Sequence, residues 1–277
     1  MATKINNRSS DIGIVVVSYH PNIDELEKNI SEYHQCANEL IIVDNSDDNV
    51  SFDRIKKLFN VEIIKLNENK GIAYAQNVGI ERLVKNKDNK YILFFDQDSF
   101  LTSEQITELK KIYTEQERNK KNIGLVGPTI KTKQNSIESV NETLSSGSLI
   151  KIKVLKDVGL MNENLFIDLV DYEWCWRAIK KNYVIVRANN ILLEHQLGEG
   201  RFFLIGIPQP IRHYYQFRNT IYLLNKSYVP FRFKIKYSVL LPIKFLVYVL
   251  FFKDRKQRLS YMYAGIKDGF KNRMGRI

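Results

Sequence analysis

The sequence predicts an α/β architecture: a mostly parallel sheet flanked by helices, followed by a basic, apolar helical extension. Three observations carry this. Apolar runs of strand length alternate with helical patterns through residues 12–130. Those runs are Val/Ile-rich and nearly continuous, as in parallel strands buried on both faces. Beyond residue 200 the composition shifts to apolar and basic stretches whose only acids are Asp254 and Asp268.

In chain order, Ile12–Ser18 is a β-branched run and reads as the first strand. After Pro21 comes an amphipathic stretch whose Leu26 and Ile30 fall four apart. Residues 40–44 and 61–66 read as strands, 72–85 as a helix, and 91–95 as a further strand. A helix over 103–120 capped by Ser103 and a strand over 123–130 continue the βα alternation. Residues 131–143 are polar and read as a mobile loop, and 145–150 as a small-residue strand or turn. Residues 171–181 read as a helix, 183–186 and 191–194 as short strands, and 208–226 as a helix rich in Tyr and Arg. A boundary near residue 200, beside Gly198 and Gly200, divides a nucleotide-binding unit (1–200) from a helical segment (201–277).

The net charge of +11 is unevenly placed: residues 1–200 carry 26 Lys+Arg against 29 Asp+Glu, and residues 201–277 carry 16 against 2. Residues 239–252 are almost wholly apolar and flanked by bases, yet too short for a bilayer crossing of about 20 residues. A surface of anionic lipid suits this segment, with a buried helix carrying a solvated basic rim as the alternative. Nucleic acid is disfavoured, because no binding motif accompanies the charge. Cys36 and Cys175 make no disulfide framework. With a polar N-terminus lacking a signal-peptide core, they lead us to expect a cytoplasmic, peripheral location.

The chemistry concentrates at loop positions. Asp96-Gln97-Asp98 ends an apolar run, and two carboxylates there suit Mg²⁺ or Mn²⁺ carrying a phosphorylated ligand. Ser18-Tyr19 and Asp44 end the first two strands. Asp44 is placed to accept the N3–H of a uracil or thymine, or else shapes a turn with Ser46. The run from Asn69 through Gly71 to Asn77 opens a helix whose N-terminus can face an anion. Its glycine spacing fits neither a dinucleotide fingerprint nor a P-loop. Asp168, Asp171 and Glu173 cluster beside Trp174, Trp176 and Arg177. Glu173 and Arg177 are spaced to pair across one turn, leaving Asp171 for the crevice or for capping. His195 is a candidate to complete a metal site.

This ordered series resembles the family-2 inverting glycosyltransferases of GT-A fold: Val-Ser-Tyr, Val-Asp-Asn, Asn-x-Gly-x-Ala-x-Ala-x-Asn-x-Gly, Asp-x-Asp, Ser-Gly-Ser, Asp-x-Glu-Trp-Cys-x-Arg, then His. The Phe-Asp-Gln-Asp-Ser run and Tyr-Tyr-x-x-Arg-Asn at 214–219 look most like bacterial rhamnosyltransferases that use dTDP-L-rhamnose. The resemblance implies that Ser18, Tyr19, Asp44, Asn69, Gly71, Asn77, Asp96, Gln97 and Arg218 hold the nucleotide sugar. It implies that Asp98 and His195, with Asp96, hold the cation, and that Asp171 is the catalytic base. It places Ser146, Gly147, Glu173, Trp174, Arg177, Tyr214 and Asn219 around the substrate. Many relatives have a Glu-Asp pair at the base. Here Val170 precedes Asp171, which keeps Asp168 and Glu173 as alternatives. The implied acceptor is a lipid-linked saccharide, and a homo-oligomer is left open.

Overall fold

The computed structural model describes residues 10–119, 121–131, 134–195, 201–202, 205–206 and 209–277, with His195 given by its backbone. Gly198 and Gly200 lie outside the described residues.

The chain runs β1 (Ile12–Ser18), α1 (Ile23–Tyr33), β2 (Glu39–Asp44), α2 (Asp53–Leu58), β3 (Glu62–Lys65), α3 (Ile72–Leu83) and β4 (Tyr91–Asp96). Then come β5 (Ser99–Phe100), α4 (Ser103–Arg118), β6 (Ile123–Thr129), β7 (Ile137–Val140), β8 (Leu149–Lys151), α5 (Ile152–Val158), α6 (Val170–Lys180), β9 (Val184–Leu192) and β10 (Glu194–His195). The last quarter holds β11 (Arg201–Phe202), β12 (Ile205–Gly206), α7 (Pro210–Leu224), α8 (Phe231–Phe251) and α9 (Arg255–Phe270).

Eight strands form one sheet in the order β3-β2-β1-β4-β8-β6-β9-β7. The first four are mutually parallel, and β8 enters antiparallel between β4 and β6. Period-2 alternation explains the continuous apolar run of β1. Val15 and Val17 face the layer of α3, α5 and α6, while Ile14 and Val16 face α1 and α4. With every residue of β1 buried, the run needs no polar face. The carboxyl ends of β1, β2 and β4 therefore share one edge, where open α/β sheets form their ligand crevice.

Several expectations are corrected. The cap of α4 is Thr102 rather than Ser103: its hydroxyl accepts from the Gln105 N–H while the Gln105 side chain returns to Thr102 N. Within the predicted 131–143 loop lies β7, an exposed edge strand antiparallel to β9. Its polar face is what an edge tolerates, so its sequence lacks a strand pattern. The two short strands expected at 183–186 and 191–194 are one long β9 followed by β10. Helices α2 and α5 were not anticipated. Both are short, at 6 and 7 residues, which leaves too few turns for a periodicity signal.

Residues 201–277 do not stand apart from the rest of the fold. Leu223, Val229 and Phe233 share a core with Trp174 and Trp176, and the Phe233 ring meets Trp176 at 4.4 Å. Among the described residues no helix is long and apolar enough to cross a membrane.

Candidate active site

A crevice of about 1390 Å³ opens along the carboxyl ends of the parallel strands. One half is walled by the tips of β1 and β4 and by Asn45, Asn69, Gly71 and Gln76. The other is walled by α7 and α8, through Arg212, Gln216, Tyr237, Leu241 and Lys244. Asp96, Asp98, Asp168 and Asp171 all line it. Acids more than seventy residues apart in the chain thus line one crevice.

The first half is built by short cross-links between strand tips. Register places Ser18 beside Asp44. The Asp44 Oδ1 accepts from Ser18 Oγ at 3.2 Å, Ser46 Oγ at 2.6 Å and Ser46 N at 3.3 Å. All three bonds go to one oxygen, so Asp44 shapes the turn and keeps Oδ2 as an acceptor. Gln97 Oε1 accepts from Tyr19 N at 2.6 Å, tying the tip of β4 to that of β1. Asn45, which sequence reasoning missed, donates to Asn69 Oδ1 at 3.1 Å and accepts from Lys70 N at 2.8 Å. Asn69 Oδ1 in turn accepts from Gly71 N at 3.1 Å.

Gly71 is required here. Its φ is +88°, and a Cβ would lie 2.5 Å from the Phe166 carbonyl oxygen, which accepts from Ile72 N at 2.8 Å. The glycine thus lets the 69–72 turn pack directly on the loop that precedes α6.

Asp96 N donates to Ser146 Oγ at 3.1 Å, and Ser99 Oγ reaches Asp98 Oδ1 at 3.4 Å. Strands β5 and β10 pair antiparallel, with His195 opposite Ser99. The backbone therefore brings residue 195 next to Asp98 from almost a hundred residues away. Asp96 and Asp98 both line the crevice, and carboxylates are the hard oxygen donors that divalent cations take.

Asp171 lies in the first turn of α6, whose N-cap is Leu169 in a left-handed conformation (φ +66°, ψ 8°). Its Oδ1 accepts from Tyr172 N at 2.9 Å, a free donor of the first turn. Burial pushes its carboxyl up to about 7, with the charges of Asp96 and Asp168 adding to the rise. A carboxylate so tuned takes a proton near neutral pH. Asp168 accepts from Arg212 Nη2 at 2.6 Å. That ion pair engages one of its two oxygens.

Several residues expected to touch substrate are instead buried supports. Glu173 is 1% exposed and bound by Arg177 Nε at 3.0 Å and Tyr228 Oη at 2.8 Å. Arg177 also donates to the Val158 and Leu160 carbonyls, and Trp174 Nε1 to the Gly159 carbonyl. This confirms the pairing across one turn but removes Glu173 as an alternative base. Asn77 joins α3 to Met161 and Glu163. Ser146 supports Asp96 and is itself buried. Gly147 (φ +75°) donates its N–H to the Phe94 carbonyl. Ser145 is the residue of that turn that faces the crevice. Tyr214 Oη donates to Asp268 at 2.9 Å, between α7 and α9.

The largest correction concerns Arg218 and Asn219, both fully buried. Arg218 donates to the carbonyls of Asn164, Leu165 and Gly275, and its guanidinium carbon lies 5.2 and 5.1 Å from the ring centroids of Tyr214 and Tyr215. Asn219 Nδ2 donates to the carbonyls of Leu165, Ile167 and Asp168, at 2.9, 2.7 and 3.0 Å. Phe166, Asp168 and Leu169 all have φ above +60°. Such backbone persists only where its surroundings over-determine it. The two side chains hold the strained loop that presents Asp171 and do not line the crevice.

Sequence reasoning also missed Gln76, Arg212, Gln216 and Lys244. Gln76 Nε2 donates to Ser145 Oγ at 3.0 Å, while its buried Oε1 lacks a partner among the described residues. Its place in the motif containing Asn77 was the available signal. The α7 and α8 residues carried none.

The comparisons agree with this geometry. Residues 12–149 match the family described as glycosyl transferase family 2. The dTDP-rhamnosyl transferase RfbF of Shigella flexneri is 32% identical over 279 residues, covering 92% of each chain. Among solved structures, S. aureus TarS in complex with UDP-GlcNAc superposes with a TM-score of 0.58 at 16% identity, covering 94% of this chain and 81% of that one. GalNAc-T7 with UDP, GalNAc and Mn²⁺ gives a TM-score of 0.62 at 9% identity over 92% of this chain. The chain spans 54% of GalNAc-T7 and 44% of a longer TarS chain. At these identities the structures speak for the GT-A-like fold alone. With its crevice at the sheet's carboxyl edge and a relative matched end to end, this chain belongs to glycosyltransferase family 2 and is a glycosyltransferase.

Proposed function

We propose that this enzyme moves L-rhamnose from dTDP-β-L-rhamnose to an acceptor hydroxyl in a single inverting displacement. The observation that carries the reading is one crevice holding both a strand-tip carboxylate pair and a separate aspartate tuned to about 7. Inversion needs a base on the face of the sugar opposite the leaving nucleotide, and Asp171 takes the proton of the attacking hydroxyl there. Asp98 and Asp96, with His195, would hold Mg²⁺ or Mn²⁺, which neutralises charge developing on the leaving diphosphate. Asp44 Oδ2 accepts the thymine N3–H, and Ser18, Tyr19, Asn69 and Gly71 surround the nucleotide. The choice of rhamnose rests on RfbF.

A thermal-shift panel of dTDP-rhamnose, UDP-glucose and UDP-N-acetylglucosamine, each with Mn²⁺ and with chelator, tests this. The largest shift is expected for dTDP-rhamnose with Mn²⁺. Equal shifts for UDP-sugars would reassign the donor, and shifts indifferent to chelator would remove the cation.

The acceptor is a lipid-linked saccharide in bacterial surface polysaccharide synthesis, met where the enzyme rests on anionic membrane. Support comes from α8, whose Ile235, Val239, Ile243, Leu246 and Leu250 form one exposed stripe. Exposed Arg232, Lys236, Lys253, Arg255 and Lys256 surround it. Leu246→Glu with Leu250→Glu is expected to release the protein from phosphatidylglycerol vesicles in sedimentation. Unaltered co-sedimentation would dispose of the membrane contact.

A further inference from the structure

Beyond α9 the chain returns to the turn that opens α3. Asn272 takes a left-handed conformation (φ +52°). Its N–H donates to the Gly269 carbonyl, and that of Arg273 to the Asp268 carbonyl at 2.9 Å. This closes α9 and redirects the residues that follow. Three bonds then fasten them. Gly275 N donates to the Asn164 carbonyl at 3.0 Å, Arg218 Nη1 to the Gly275 carbonyl, and Ile277 N to Tyr215 Oη at 3.3 Å. Met274 packs against the core that holds Leu165 and Val170.

From that anchorage Arg276 reaches a residue 207 positions away: its Nη1 donates to the Asn69 carbonyl at 3.2 Å. Asn69 lines the crevice, and its side-chain oxygen already accepts from Asn45 Nδ2 and Gly71 N. The turn is further tied by Ile72 N to the Phe166 carbonyl. Arg276 adds a bond to the backbone of Asn69 itself. One hydrogen bond from an exposed guanidinium changes global stability little. A turn that must be ordered around a ligand, however, binds more tightly when its ordering precedes the ligand. Arg218 joins the two sides of the site, since the same guanidinium donates to Gly275 and to Leu165 in the loop before α6.

We propose that residues 272–277 form a strap that pre-orders the Asn69–Gly71 turn, and that Arg276 is a positioning residue for nucleotide binding. The inference rests on the reading that this turn surrounds the donor nucleotide, and it adds the element that holds the turn in place.

The test pairs calorimetric titration of the full chain by dTDP with Mn²⁺ and hydrogen–deuterium exchange of the unliganded protein. Arg276→Met is expected to weaken dTDP about fivefold, as loss of one hydrogen bond does. It should also speed exchange in a peptide spanning residues 66–74, where the N–H groups of Lys70, Gly71 and Ile72 are all bonded. Arg276→Lys keeps a donor and is expected to hold affinity within about twofold. Arg273→Met removes an exposed charge from the same segment and is expected to change neither reading. The melting temperature of Arg276→Met should match that of wild type. Weaker binding with unchanged exchange would overturn positioning and make Arg276 a ligand contact. Faster exchange with unchanged affinity would strip the strap of a role in binding, and melting lowered by several degrees would reduce it to a support of the whole fold. If dTDP fails to bind wild type, the thymidine reading falls. UDP then takes its place in the titration, and the exchange comparison, made without nucleotide, still decides the strap.

Discussion

Asp171→Asn is expected to lower kcat about 10²–10⁴-fold, the usual contribution of a positioned general base, while nucleotide-sugar affinity persists. An amide matches the carboxylate in shape but cannot take the hydroxyl's proton. In the wild type, kcat/KM should rise with pH through about 7, because the free enzyme's Asp171 must be ionised to act. Turnover like wild type in the variant, or a pH profile flat between 5 and 9, would move the base to another residue.

The same substitution should stabilise the protein. Asp171 holds its proton up to about 7 in the folded state, against an ordinary value of 3.8. Below the lower value both states are protonated and nothing is lost. As pH rises through this window the unfolded chain ionises first, so stability falls, and the full deficit remains above 7. At about 1.4 kcal/mol per unit the ceiling is near 4 kcal/mol, and partial solvent contact makes it smaller. Asn carries no such deficit, so melting at pH 8 should rise by a few degrees. A variant both inactive and more stable marks a residue kept for chemistry rather than packing.

Arg218→Met should behave in the opposite way, lowering stability by about 3–5 kcal/mol, as expected when buried polar partners are orphaned. The carbonyls of Asn164, Leu165 and Gly275 each lose one donor, and the buried Asn219 Oδ1 loses both of the bonds it accepts from Arg218. Chemical denaturation measures this directly. If Arg218 instead gripped the donor's diphosphate, the variant would keep its stability and lose nucleotide-sugar affinity. The two outcomes cannot be confused. Asn219→Ala should act in the same direction, loosening the loop of Phe166, Asp168 and Leu169.

Legibility followed how local each signal is. The tips of β1, β2 and β4 could be read directly, because a buried parallel strand is apolar throughout and its end is marked by the first polar side chain. The Glu173–Arg177 pair was visible because it spans one helical turn. By contrast, β7 is an edge strand whose polar residues look like loop, and α5 is too short for a period to show. The motif Tyr-Tyr-x-x-Arg-Asn was correctly singled out but wrongly aimed. Nothing within six residues shows that its Arg and Asn turn inward onto backbone some fifty positions upstream.

Patterns along the chain were enough for the sheet, its carboxyl edge and the acids standing there, since hydrophobic period and strand-end chemistry are local properties. Packing alone settled which polar groups face the crevice and which meet carbonyls. Burial depends on what arrives from elsewhere: α7 slides Arg218 and Asn219 beneath the loop before α6, and α8 brings Lys244 to the crevice wall. A side chain's charge is written in its residue type, but its partner is a consequence of the fold.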